Sequence, residues 1–125
     1  MRWLVDGMNV VGSRPDGWWR DRRGAMRALI ERLEAFARST GDEVAVVFDG
    51  RPFELEEGGR VEVAFAPGGR NAADDAIAEW VADDPDPGSI TVVTSDGELA
   101  ERVRAAGAAV TPAGGFRRRL EPPPG

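Results

Sequence analysis

The chain has 125 residues and a net charge of −6, a length that predicts one compact domain over residues 1–120. It contains no His, Cys, Tyr or Lys, so all 16 basic residues are arginine. These absences exclude disulfides, serine–histidine catalysis, Schiff-base chemistry and imidazole or thiolate metal sites. No apolar leader or membrane-length apolar stretch is visible, so we expect a cytoplasmic protein without membrane contact.

The first predicted elements are a strand, a turn and a long helix. Residues 3–5 form a short apolar strand, and residues 6–9 contain Asp, Gly and Asn, which suit a turn. A helix is predicted from Trp19 or Arg20 to Ser39, because apolar residues recur there at intervals of three and four. Gly41 suits the C-terminal cap of that helix.

The second half of the chain continues the alternation of strands and helices. Residues 44–48 are a continuous apolar run typical of a buried parallel strand. Residues 61–65 alternate more and predict a strand nearer the sheet edge. The remaining predicted elements are a helix capped by Asn71 and running to about Ala82, a strand over 90–93, a helix over 97–106, a strand near 109–110 and a disordered tail over 121–125. The alternation predicts an α/β fold with a mostly parallel sheet.

Four aspartates are placed where such a fold would bring them together. Asp6, Asp49 and Asp96 follow apolar runs, and Asp74 lies in the first turn of a predicted helix. Each has a structural explanation as a turn residue or helix cap, and Ser95 with Glu98 has the spacing of a capping box. The carboxyl ends of parallel strands nevertheless converge on one edge, so the joint pattern predicts one acidic pocket.

Helical spacing predicts that Asp74 faces inward and that Asp75 faces solvent. An inward carboxylate without a basic partner is costly to bury, and a bound cation offsets that cost. A site made only of oxygen ligands suits Mg²⁺ or Mn²⁺. Such an ion activates water and stabilises charge on a scissile phosphate. Asn9 would orient a ligand with its amide, and Thr94 and Ser95 would bind an aspartate, water or substrate.

Arginines near the first long helix are candidates for phosphate binding, although a mixed solvated surface explains them as well. They are Arg14, Arg20 and Arg23, and they lie beside Trp18 and Trp19, which would stack unpaired bases unless one of them packs under the helix. Further candidates are Arg70, just before the Asn71 cap, and residues 117–119, which a solvated terminus explains equally well. As a substrate-binding surface, these residues would suit a single-stranded nucleic acid.

Four ordered motifs carry a family resemblance. They are Leu4–Val11 (LVDGMNVV), Val46–Gly50 (VVFDG), Ala73–Ile77 (ADDAI) and Val93–Asp96 (VTSD). In this order and spacing they resemble the NYN domain family of PIN-like, metal-dependent ribonucleases, and most closely its YacP-like bacterial branch. Met8 departs from the pattern, because related chains often carry an aromatic residue there, and the chain looks shorter than many YacP-like proteins.

The resemblance implies a three-layer α/β/α sandwich and an RNA-cleaving Mg²⁺ or Mn²⁺ site that acts endonucleolytically. Asp6, Asp74 and Asp96 match the family's acidic positions and Asn9 its asparagine, and Asp49 matches the Phe-Asp-Gly segment as a less certain ligand. Some YacP-like proteins act on messenger RNA in association with ribosomes, so RNA and ribosomes are the implied partners.

Other classes fit the residues less well. Haloacid-dehalogenase-like phosphatases and phosphoacceptor receivers also place aspartates at strand ends, but both use a lysine, which this chain lacks. The phosphate-loop and dinucleotide-binding glycine motifs are missing as well. The rival interpretation is an RNA-binding or regulatory domain that keeps the pocket without turnover.

Overall fold

A computed structural model describes residues 1–14, 17–55, 59–69 and 71–121. The α-helices and strands in that part of the chain are, in order, β1 (Arg2–Asp6), α1 (Gly7–Gly12), α2 (Arg22–Thr40), β2 (Glu43–Asp49), β3 (Glu62–Ala66), α3 (Ala72–Asp83), β4 (Ile90–Val93), α4 (Gly97–Ala105), β5 (Ala109–Thr111) and α5 (Ala113–Leu120). Short 3-10 turns precede α2 and β4. None of these helices is long and apolar enough to cross a membrane.

The five strands form one parallel sheet in the order β3-β2-β1-β4-β5. This confirms the predicted α/β fold with a parallel sheet and places β3 at an edge, as expected. The chain first moves outward from β1 through β2 to β3, and then crosses to the other side of β1 to add β4 and β5. Strand order therefore reverses between β1 and β4, and ligands of open α/β sheets bind beyond the carboxyl ends of the strands at such a point.

Helices cover both faces of the sheet, which gives the three predicted layers. Side chains of a strand point alternately to opposite faces, so Trp3 and Val5 of β1 join the core under α1, α2 and α5, whereas Leu4 joins the core under α3 and α4. Phe116 of α5 is fully buried among Trp3 and Phe36. These two cores fix the strand ends that carry the acidic residues.

Two helices differ from the sequence prediction. Residues 7–12 form helix α1 instead of a turn; a six-residue helix is too short to show a periodic pattern, and its first residue must be small because a Cβ on Gly7 would lie 2.5 Å from the ring of Phe48. Residues 113–120 form helix α5, in which Arg117 is half-buried and Arg118 and Arg119 are exposed. Its signal was the spacing of Ala113, Phe116 and Leu120, which pack against the core.

The ends of α2 show how local signals act. Asp21 caps its start by accepting a hydrogen bond from the Gly24 amide, so the helix begins after the predicted Trp19 or Arg20. Gly41 adopts the left-handed conformation at the C-terminus, as predicted. Of the predicted tail, residues 122–125 lie outside the described residues, and Glu121 accepts a hydrogen bond from Arg117.

Candidate active site at the carboxyl edge of the sheet

Asp6 is the last residue of β1 and lies at the reversal of strand order. It is only 4% exposed, and its Oδ2 accepts a hydrogen bond of 2.9 Å from the hydroxyl of Thr94. Loss of water raises the pKa of Asp6 to about 7, the Thr94 hydrogen bond opposes that rise, and the charges of Asp74, Asp49 and Asp96 add to it. Asp6 is therefore the buried centre of a group of four carboxylates.

The segment after β4 links Asp6 to Asp96. The Thr94 hydroxyl donates to Asp6 and accepts from the backbone amide of Asp96 at 3.1 Å. Asp96 caps α4 by accepting from the Leu99 amide at 3.0 Å, so the predicted Ser95–Glu98 capping box is wrong. Asp96 thus belongs both to the start of α4 and to the acidic site, and buried Thr94 orients the Asp6 carboxylate through its hydrogen bond.

Asn9 and Ser95 tie this segment to the opposite face of the sheet. Asn9 lies on α1, and its Oδ1 accepts a hydrogen bond of 2.8 Å from the Ser95 amide. The Ser95 hydroxyl accepts from the amide of Ala113, at the start of α5. Because a backbone N–H can only donate, the Asn9 atom that faces it is the oxygen, and the NH₂ group at the other end of the amide can donate to a ligand.

Asp49 holds the start of α3. Its Oδ1 accepts a hydrogen bond of 3.0 Å from the Ala73 amide. Asn71 is the N-cap by position, but it has a left-handed backbone (φ 70°) and its side chain makes no capping hydrogen bond in the described part of the chain. The predicted side-chain cap by Asn71 is therefore wrong: a carboxylate from the neighbouring strand end caps the helix, and this contact positions the turn that carries Asp74.

The cap role of Asp49 can be separated from a role of its charge. Asp49→Ala should lower the free energy of unfolding by about 0.5–2 kcal/mol, because the Ala73 amide loses its acceptor. Asp49→Asn keeps an acceptor oxygen and should stay close to the parent chain. Urea unfolding in EDTA measures both, and equal destabilisation by the two variants would contradict the cap.

Asp74 faces inward and Asp75 faces solvent, as the helical spacing predicted. Asp74 is half-buried, and burial together with the charges of Asp96 and Asp49 raises its pKa, whereas Arg102 opposes the rise. Asp75 is exposed and bonds Arg102 at 2.9 Å. The expectation that no arginine lies near Asp74 is wrong, because Arg102 reaches this edge from α4 and no local sequence pattern connects it to α3.

The four carboxylates share an edge but do not form a completed metal site. Asp49 and Asp96 each use one oxygen to cap a helix. Across the described ranges, no group of three or more acidic side chains is placed to hold a metal ion as it stands. All the donor atoms are oxygens, and they surround a buried carboxyl group whose pKa is raised. This chemistry fits Mg²⁺ or Mn²⁺. The side chains as placed do not supply a complete set of ligands for such an ion.

The predicted phosphate-binding arginines belong to the face covered by α2. Arg20 stacks on Trp19 with 6.0 Å from the guanidinium carbon to the ring centre, and Arg23 stacks on Phe53 at 5.2 Å. Trp19 is 56% exposed. Arg70 lies outside the described residues. These positively charged groups are held against aromatic rings, and neither contributes to the charges that act on Asp6 or Asp74.

Arg14 and Trp18 lie at the far end of α1. Arg14 bonds Glu121 at 3.4 Å, and Trp18 is half-buried. Arg117 of α5 also bonds Glu121. The sequence offered Arg117 only as part of a terminal run, and the packing of α5 is what brings it to this end of α1.

Comparisons with known proteins identify the family and the fold. A model of the YacP-like NYN domain matches residues 3–122. Two crystal structures of Rae1 (YacP) from Bacillus subtilis are similar to the chain. The first, a Trp-to-Leu mutant, has a TM-score of 0.76 and 28% sequence identity, and the match covers 96% of this chain and 74% of that one. The second has a TM-score of 0.75 and 27% identity, and the match covers 96% of this chain and 73% of that one.

A UPF0178 protein of Rhodospirillum centenum is 45% identical over 64 residues. That match covers 51% of this chain and 38% of the relative, so the shared part is less than half of the relative's length.

Proposed function

The chain belongs to the YacP-like NYN domain family, and we propose that it is a Mg²⁺- or Mn²⁺-dependent ribonuclease that cleaves RNA phosphodiester bonds within the strand. The observation that supports this best is the gathering of Asp49, Asp74 and Asp96 around buried Asp6, where each charge raises the pKa of Asp6. Four carboxylates at a reversal of strand order, in a chain without His, Cys or Lys, favour a divalent cation over acid–base chemistry.

In this proposal Asp6, Asp74 and Asp96 hold the cation, and Asp49 assists from the end of β2. When bound, the cation would supply charge stabilisation at the scissile phosphate and lower the pKa of water. Thr94 keeps Asp6 oriented through its 2.9 Å hydrogen bond. The NH₂ group of Asn9 is available to donate to a phosphate oxygen, since its Oδ1 is bound by the Ser95 amide.

The acidic net charge does not oppose an RNA substrate, because the charges are segregated. Helices α2 and α5 carry eight arginines against two glutamates, whereas α3 carries four carboxylates and no basic residue. A single-stranded RNA would approach over the α2 and α5 side, where Arg14, Arg20 and Arg23 lie, and reach the carboxylates at the sheet edge. Phosphate binding by Arg70 and a cytoplasmic location remain predictions from the sequence. Association with ribosomes remains a prediction from the family resemblance.

One observation favours a second candidate, an RNA-binding domain without turnover. The described residues include no three acidic side chains already placed to hold a metal. A chain that had lost catalysis would keep the fold and the basic surface while its carboxylates served as helix caps, as Asp49 and Asp96 do.

Cleavage of a labelled, unstructured RNA by the purified chain separates these candidates. We expect internal cuts with Mn²⁺, none after EDTA, and restoration when Mn²⁺ is added in excess. DNA of the same sequence reports the preference for ribose. Anisotropy at low salt measures retention: binding without cleavage across several divalent metals would support the binding domain, and cleavage that survives EDTA would contradict the metal site.

A further inference from the structure

A small cleft lies between α1, α2 and α5, on the basic face of the sheet. Its volume is about 110 Å³. Buried Val10 and Leu29 line its base, and half-buried Trp18 forms one wall. The cleft is separate from the four carboxylates, but it lies on the same short helix that follows Asp6.

Small residues at two lining positions leave space for the cleft. Ala25 and Ala28 of α2 present only methyl groups to it. On α1, a Cβ added to Gly12 would lie 3.7 Å from the Trp18 ring, so the glycine leaves that ring in ordinary contact with the helix backbone. The space is thus a product of side-chain size at a few positions.

Besides Val11, the other lining residues are arginines. Arg14, Arg32 and Arg117 contribute to the walls, and no carboxylate stands among the described residues that line them. Arg117 is held by hydrogen bonds to the Ser13 hydroxyl at 3.0 Å and to Glu121 at 2.6 Å. Glu121, which Arg14 also contacts, offsets one of three positive charges, so the cleft is cationic with an aromatic wall.

We propose that this cleft binds one unpaired base of the RNA strand, which stacks on Trp18 while the surrounding arginines contact the adjoining phosphates. The inference rests on the proposed ribonuclease function for the identity of its ligand. A volume of about 110 Å³ is below the roughly 300–1,000 Å³ of sites for whole small molecules, which suits a single planar ring. An aromatic side chain beside positive charge is the pattern by which proteins hold single-stranded nucleic acid.

The position of the cleft gives it a consequence for cleavage. Helix α1 starts directly after Asp6 and rises about 1.5 Å per residue, so Val10 lies roughly 6 Å along the helix from the carboxylate end of β1. A base held in the cleft would place a neighbouring phosphate of the same strand near Asp6 and Asn9. The cleft therefore sets which bond of a bound strand is presented to the carboxylates.

Filling the cleft tests the proposal without disturbing the core. Ala28 and Ala35 are both exposed on α2, two turns apart, and only Ala28 lines the cleft. Ala28→Leu should weaken binding of a single-stranded RNA in EDTA by about 5- to 150-fold, the loss expected when one stacked base is removed. Ala35→Leu should bind as the parent chain does, and urea unfolding checks that both variants are folded.

Oligonucleotides with one abasic position complete the experiment. The parent chain should lose affinity for the strand that lacks the base at one particular position, and Ala28→Leu should be insensitive to that same change. The proposal that the cleft binds a base would be overturned by any of three results. They are a loss of affinity that does not depend on the abasic position, an equal loss of affinity in Ala35→Leu, and no RNA binding at all. RNA binding that follows the expected pattern without Mn²⁺-dependent cleavage would contradict the proposed ribonuclease activity and would still support the base-binding site.

Discussion

Asp6→Asn is expected to reduce Mn²⁺-dependent RNA cleavage by at least about 100-fold and to make the metal-free chain more stable near neutral pH. The carboxylate lies at the end of β1, is 4% exposed and is surrounded by three other carboxylates. Asparagine has nearly the same shape and keeps an oxygen that can accept from Thr94. The exchange therefore removes the charge and leaves the local packing in place.

The gain in stability has a definite pH dependence. Burial raises the pKa of Asp6 from its ordinary value of 3.8 to about 7, so the folded chain keeps a proton that the unfolded chain releases near pH 4. The stability that this proton contributes is complete below about pH 4 and is lost as pH rises through about 7. Asparagine has no such loss, so the variant should gain on the parent chain between these values, by a few kcal/mol at most.

Urea unfolding in EDTA at about pH 5 and about pH 8 measures this difference, and cleavage assays on the same samples measure activity. Added Mn²⁺ should stabilise the parent chain much more than the variant, because binding to the folded state adds to its stability. A variant that cleaves RNA like the parent chain would contradict the proposed role of Asp6. A stability difference that does not change with pH would contradict the raised pKa.

Asp74→Asn should also reduce cleavage by at least about 100-fold, whereas Asp75→Asn should leave it nearly unchanged. The two residues are adjacent on α3 and differ in facing: Asp74 is half-buried and its pKa is raised by burial and by Asp96 and Asp49, and Asp75 is exposed and paired with Arg102. An exposed ion pair of this kind contributes at most about 1 kcal/mol to stability.

The adjacent pair is a matched control, because each variant removes one negative charge from the same helical turn. Titration of Mn²⁺ by calorimetry should show weaker binding for Asp74→Asn than for Asp75→Asn, and circular dichroism should show intact helices in both. Equal loss of cleavage in the two variants would point to the net charge of α3 instead of a placed ligand, and so would an equal loss of Mn²⁺ affinity.

Much of the framework was predictable from local patterns. The apolar runs that end at Asp6, Asp49 and near Asp96 are parallel strands, and parallel strands share a direction, so their final residues meet at one edge. The facing of Asp74 followed from helical spacing alone. In each case the prediction rests on a pattern within one short segment, and the structure has the same strand or the same facing.

Contacts between distant residues were not predictable in this way. The cap on α3 comes from Asp49 and not from adjacent Asn71, because a strand end from elsewhere in the chain supplies the acceptor. Thr94 bonds Asp6 across 88 positions of sequence. Helices α1 and α5, of six and eight residues, are too short to be stable alone and form where tertiary burial of Val10 and Phe116 stabilises them.

The sequence by itself determined which chemistry is possible: a chain with arginine as its sole basic residue and without His or Cys offers carboxylates to a cation and guanidinium groups to phosphates. Only the tertiary structure decided which of those groups serve the fold and which face a possible ligand. It commits one oxygen of Asp49 and of Asp96 to helix caps and buries Asp6. It also closes α5 over α1 and α2 to form a cationic cleft. The reason is physical, since residue type sets charge and donor atoms, whereas burial and distance depend on packing between segments far apart in the chain.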